Sequence, residues 1–161
     1  MTPKQRTGEL FKSLVKKATI KQTVYNNTLS GLQLLKKGMA DLTRRYDSLE
    51  NGASKKLPFT YKDRGEFEAE LKFAGDVLVF MMHSNVFEFP RDHEVMKTPY
   101  ILEDKERSYC GIINIFNFLS DSFKYNRVND AGYLIGRIFI NKDNHCFIEG
   151  KREIGFLYKD F

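Results

Sequence analysis

Cysteine is scarce: Cys110 and Cys146 are the two in 161 residues, and they stand in no CxxC or Cys/His spacing. That leaves no basis for a disulfide framework or a zinc site, and points to two small buried thiols in a reducing compartment. Long apolar runs are missing as well. No stretch approaches the roughly 18 residues of a membrane span, and the start MTPKQRTGELFKSLVKK has basic residues with no uninterrupted apolar segment behind them. The expectation is a cytoplasmic chain with no membrane partner. Also absent are the G-x-x-x-x-G-K-[ST] phosphate loop, the G-x-G-x-x-G fingerprint and the G-x-S-x-G nucleophile elbow. The three histidines, His83, His93 and His145, have no evident orienting partners. Asp92, His93 and Glu94 are consecutive in a charged loop, and consecutive residues rarely point at one ion. No catalytic residue, cofactor or metal is therefore assigned.

What is present is enough to fold: 42% hydrophobic and 14% aromatic content supports a real core. The formal charge of +5 is unevenly spread, because residues 1–56 hold 12 Lys and Arg against 4 Asp and Glu, whereas the rest hold 14 against 17. The composition changes near LENGASKKLPF, whose Asn51, Gly52, Ser54 and Pro58 are turn and linker residues. Two units follow from this: a basic helical segment over residues 1–52, and an α+β domain over residues 57–161.

In the first unit Leu32, Leu35, Met39, Leu42, Tyr46 and Leu49 are spaced 3, 4, 3, 4, 3, the rhythm of a coiled-coil seam. The rhythm runs back through Tyr25, Ala18, Leu14 and Phe11 but is weakened at Thr28 and Lys21. Gly31 and Gly38 each cost about 1 kcal/mol against alanine in a helix interior, and YNNTLSG holds several poor helix formers. The sequence favours two helices, 8–24 and 28–50, as a helical hairpin over one long helix. The stripe needs covering, by the chain's own domain or by another protomer. Lys12, Lys16, Lys17, Lys36, Lys37, Arg44 and Arg45 form a second candidate surface, for nucleic acid.

In the second unit EFEAELKFAGDVLVFMMHS alternates with period 2 around Gly75-Asp76, which predicts a hairpin over 66–84 pairing Phe73 with Leu78, Leu71 with Phe80 and Ala69 with Met82. One face is apolar; the other, with Glu66, Glu68, Glu70 and Lys72 against Val77, Val79, Met81 and His83, is mixed. Residues 90–106 read as a long loop, a candidate for binding, although Val86, Phe87 and Phe89 extend the sheet in this reading. Tyr109, Ile112, Ile113, Phe116, Leu119 and Phe123 suggest a core helix over about 107–124 with a polar stripe of Asn114, Asn117 and Asp121. The connection after it brings together Tyr125, Asn126, Arg127 and Asp130, a candidate ligand or partner site that would share a pocket with the 90–106 loop.

GYLIGRIFINKDNHCFIEGKRE predicts a second hairpin. With Lys142, Asp143 and Asn144 as a three-residue loop and Asn144 left-handed, Ile140 faces Cys146, Ile138 faces Ile148, Gly136 faces Gly150 and Phe139 faces Phe147. Arg137 then meets Glu149, and their charges are explained by each other; the two also count with Tyr125, Asn126, Arg127 and Asp130 as a candidate ligand or partner site. Glu149 and Lys151, two apart on a strand, also fit the E-x-K pattern of metal-dependent nucleases, with Asp143 as the nearest further carboxylate. A last strand is expected in EIGFLY. The fold class is α+β: an N-terminal helical segment, then a small antiparallel sheet of two hairpins plus a last strand packed on a core helix. Function is expected to be non-enzymatic binding or assembly, self-association or protein docking through the helical N-terminus. Nucleic-acid binding, small-ligand sensing and nuclease chemistry are the alternatives.

Overall fold

The computed structural model describes residues 3–49 and 57–150. One α-helix, α1 (Pro3–Leu49), takes up the whole N-terminal segment. At 1.5 Å per residue it is about 70 Å long. It lies against a seven-stranded antiparallel sheet in the order β1 (Phe59–Asp63), β2 (Glu68–Phe73), β3 (Asp76–Met82), β5 (Tyr109–Leu119), β6 (Tyr133–Asn141), β7 (Cys146–Gly150), while β4 (Phe87–Glu88) pairs with β5 beyond the end of β3. Short helices α2 (Pro99–Glu103) and α3 (Ser120–Lys124) sit in the connections. The α+β class and the antiparallel hairpins are as the sequence predicts.

The expected break near Asn26 and Asn27 does not occur, because tertiary contacts occupy the poor helix formers. Asn27 donates to the carbonyls of Asn141 and Lys142 at 3.0 and 2.8 Å, clasping the β6–β7 turn. Asn26 accepts from Gln22, and Thr28, fully buried, returns its hydroxyl to the Val24 carbonyl at 2.7 Å. Propensity is a weak prior beside such packing.

The core lies between α1 and one face of the sheet, where Leu32, Met82, Ile113, Ile138 and Ile140 cluster, with Tyr25, Leu29, Leu35 and Phe80 packed around them. Gly111 makes the close approach possible: a Cβ there would stand 2.0 Å from Thr28 Oγ1 and 2.8 Å from Thr28 Cβ. Lower down the helix, Lys36 is buried to 5% exposure and donates to Asp63 Oδ1 at 2.8 Å and to the Gly65 carbonyl. That ion pair holds the Asp63 carboxyl below its usual range, first by the Lys36 hydrogen bond and then by the Gly65 amide. Tyr46 closes the end against Phe59 and Phe73, at 5.2 and 6.1 Å between ring centres.

Three other expectations are corrected. Residues 109–119 are not the core helix but the central strand β5, paired on both sides. A strand covered on both faces reads as a nearly continuous apolar run, which periodicity alone does not separate from a buried helix. The core helix of the fold is instead α1. The β2–β3 hairpin is shifted by two residues, with Leu71 opposite Leu78 and Phe73 opposite Asp76. The turn is Ala74-Gly75, because the Ala74 amide donates to Pro58 at 2.9 Å and Gly75 accepts from Ser120 at 2.8 Å; Ala74 itself takes a φ of 51°. Cys146 is exposed, while Cys110 is buried; both are free thiols.

The β6–β7 hairpin has the predicted register at every pair from Gly136–Gly150 to Ile140–Cys146, and Asn144 has a φ of 59°. The expected strand in EIGFLY lies outside the described residues, as does Lys151.

Candidate functional site

Three features are candidates for function: the first half of α1 and two hollows on the sheet face away from it. The helix first. Burial along α1 begins at Val24, and residues 4–19 are all exposed. Within that stretch Leu10, Phe11, Leu14 and Val15 are each more than half exposed. At 100° per residue Leu10, Phe11 and Leu14 lie on the side continued by Thr28, Leu29 and Leu32 further along, with Val15 at its edge and Lys12 pointing away from it. The stripe predicted further down is covered by the chain's own sheet at Leu32, Leu35 and Met39, and Tyr46 belongs to the aromatic end-cluster. Leu42 is half exposed; the side chain of Leu49 lies outside the description. Of the candidate basic residues, Lys12, Lys17, Lys37, Arg44 and Arg45 are exposed. Lys16 pairs with Glu106 at 2.5 Å, Arg44 pairs with Asp41, and Lys36 is consumed in the core.

On the other face of the sheet Val77 and Val79 are buried. The mixed face of the first hairpin is thus covered in part, by the segment around α3. Between them opens a cleft of about 670 Å³ with Val79, Met81, Phe116 and Phe118 along its floor and Asn126, Arg127 and Asp130 at its rim. Arg127 pairs with Asp130 at 3.1 Å, and Asp130 accepts from Ser122 at 2.5 Å. Tyr125 is exposed just outside. Ser122, Arg127 and Asp130 satisfy one another and close the connection after α3.

The 90–106 segment does not share that cleft. It folds over the opposite end of the same face and borders a separate, half-open cavity of about 510 Å³ against β5, β6 and β7. Phe89, Phe139 and Phe147 line it, with ring centres 5.0–6.0 Å apart. Tyr100 and His145 stand 4.7 Å apart. A polar clamp fixes the roof. Arg107 reaches Asp143 at 2.9 Å, Glu103, and the Tyr100 carbonyl at 3.0 Å, and its guanidinium lies 4.3 Å over the Tyr100 ring. Those two carboxylates raise the Arg107 pKa, keeping it charged. Asn141 donates to the Tyr100 hydroxyl at 3.0 Å and accepts from the amides of Asp143 and His145. Burial pushes the Cys110 thiol at the cavity's base up to about 12.

Arg137 and Glu149 form the predicted cross-strand pair at 2.9 Å, beside the stacked Phe139 and Phe147. Asp143 sits in the hairpin turn on Arg107, so the two carboxylates named for nuclease chemistry have separate cationic partners. Among the described residues no group of three or more His, Cys, Asp and Glu is placed to hold a metal, and no helix is long and apolar enough to cross a membrane. Sequence reasoning missed the cavity's polar clamp, since Tyr100, Arg107, Asn141 and Asp143 come from two segments whose only shared signal was polar residues beside aromatics. No family model, curated protein or solved structure matches the chain.

Proposed function

We propose that this chain is a non-enzymatic assembly module that pairs with a second copy of itself through the first half of α1. The observation that carries the reading is the apolar side formed by Leu10, Phe11, Leu14 and Val15 on a helix continuing about 30 Å before the first buried residue. Large apolar side chains grouped on one exposed side mark an interaction surface more often than scattered ones do. The same side becomes the sheet-packing side from Val24 onward, so pairing the projections extends the chain's own packing pattern into a helix–helix seam. Two-fold antiparallel pairing sets this patch against itself, keeps Lys12 on the outside and leaves Lys16 on Glu106 of its own chain.

Charge sets a signature for the test. Residues 3–23 carry Lys4, Arg6, Lys12, Lys16, Lys17 and Lys21 against Glu9 alone, so bringing two copies together costs repulsion that salt screens. Light scattering of the full chain is expected to give a dimer whose population grows with salt. Leu10→Asp/Leu14→Asp is expected to give a monomer with unchanged circular dichroism, since neither side chain is in the core. A wild-type monomer at high micromolar concentration at every salt level overturns the reading. Nucleic-acid binding through the exposed Lys12, Lys37, Arg44 and Arg45 has the opposite signature, a steep loss of binding as salt rises.

A further inference from the structure

We propose that the aromatic cavity between residues 89–107 and strands β5–β7 is a binding site for a flat, uncharged aromatic small molecule carrying one hydrogen-bonding group. A half-open hollow of about 510 Å³ stands here beside five aromatic rings. That volume falls in the range of about 300–1,000 Å³ usual for ligand sites. Collapse is prevented by the clamp, because Arg107 and Tyr100 are tied to Asp143 and Asn141 at the β6–β7 turn and hold the 98–107 segment off the sheet.

The chemistry of the lining selects the ligand. Phe89, Phe139 and Phe147 line the cavity, and offset or edge-on contacts at about 4.5–7 Å are what a planar aromatic guest makes best with such rings. Ile101 and Val95 complete an apolar wall, and the Cys110 thiol beneath is protonated and unreactive at neutral pH. Charge is not sought. Arg107, the one formally charged residue of the lining, is already opposed by Glu103 and Asp143, so an anion would lose its hydration for little return. Asn141 has its amide and carbonyl engaged on both sides. The His145 imidazole, which makes no hydrogen bond among the described residues, is the handle for the ligand's single polar group.

The chain contains no tryptophan, so an uncharged naphthylamine dye can be followed by its own fluorescence. N-phenyl-1-naphthylamine titrated into the full chain is expected to bind saturably at one site per chain, and its sulfonated analogue at least about tenfold more weakly. Val95→Trp, which fills the cavity, is expected to weaken the neutral dye by more than about tenfold while leaving the melting temperature in place. If Val95→Trp melts early, Thr98→Trp at the exposed mouth carries the same test. Val128→Trp, in the other cleft, is expected to leave affinity unchanged. The proposal is overturned if the neutral dye does not saturate, if the folded mouth variant binds it as the wild type does, if Val128→Trp removes binding, or if the sulfonated analogue binds equally well. It does not depend on self-association, and the Leu10→Asp/Leu14→Asp variant is expected to bind the dye normally.

Discussion

Replacing Gly111 by alanine tests the contact between α1 and the sheet at its closest point. The new Cβ would stand 2.0 Å from Thr28 Oγ1, 2.8 Å from its Cβ and 2.9 Å from its Cγ2. Turning the Thr28 side chain does not clear the clash, because its Cβ is fixed by the helix. Either the helix or β5 must move by several tenths of an ångström, and β5 is held by ladders on both sides. Overpacking of this kind costs about 1–3 kcal/mol, and the rigid surroundings argue for the upper end. Thr28→Ala alone removes a buried methyl, worth about 0.8 kcal/mol, and regains up to about 0.7 kcal/mol of helix propensity, for a net change near zero to 1 kcal/mol. In the double variant the Cβ–Cβ contact alone remains to be relieved. Its cost is expected to fall short of the sum of the single changes by about 1–2 kcal/mol. Urea denaturation of the four proteins, followed by circular dichroism, gives that coupling directly. A Gly111→Ala protein within about 0.5 kcal/mol of wild type, or additivity within the same margin, would refute the packing described for Thr28.

Three further outcomes are expected. Gly38→Ala, where a Cβ would meet nothing within 4 Å, should raise stability by about 1 kcal/mol through helix propensity, and Ala74→Gly should raise it by about 0.5–1 kcal/mol by releasing the left-handed φ of 51°; thermal melts at matched concentration decide both. The Arg137–Glu149 pair, whose side chains are 42% and 47% exposed, should show a coupling of only about 0.2–1 kcal/mol that shrinks in salt, so a larger, salt-independent value would mean that the pair is better shielded than its exposure indicates. The carboxyls of Asp63, Asp104 and Glu106 are all held below their usual range, each chiefly by a lysine hydrogen bond, from Lys36, Lys142 and Lys16 in turn. The unfolded chain therefore takes up protons first, and the stability these groups contribute is complete above the ordinary carboxylate range and lost as pH falls through about 4 and below. Urea midpoints measured from pH 7 to pH 3 should fall along that limb, and Lys36→Met should flatten it; an unchanged slope in that variant would remove Asp63 from the account.

Legibility in the sequence varied with the kind of signal. The β6–β7 hairpin was readable because Asn144, the three-residue loop and the Arg137/Glu149 charges all demand one register. The β2–β3 hairpin offered no such cross-check: a slip of two residues keeps every side chain on its face, so the alternation of Leu71, Phe73, Leu78 and Phe80 cannot distinguish the registers. For β5, burial on both faces erased the period that marks a strand. The continuity of α1 through Asn26–Thr28 depends on the Asn141 and Lys142 carbonyls, more than a hundred residues away, and no local pattern announces them. The exposed side at Phe11 and Leu14 was legible as an extension of the seam, but its freedom from the sheet was not. The cavity was legible only as a long loop worth attention, because its rings and its clamp meet through folding alone.

The clasp of Asn27 on the β6–β7 turn has a consequence for how the chain is made. The helix that ends at Leu49 is synthesised first, but the strands that cover Leu32 and Thr28 are not complete until Asn141. At about 5–20 residues per second that interval is roughly 5–20 s, during which the inward side of α1 is incompletely covered by its own sheet. The contacts that finish the core join positions 114 and 115 residues apart, and such distant closures form late and slowly. A nascent chain of this design is an expected client of chaperones that hold apolar helices, and truncation before β6 should leave it bound to them.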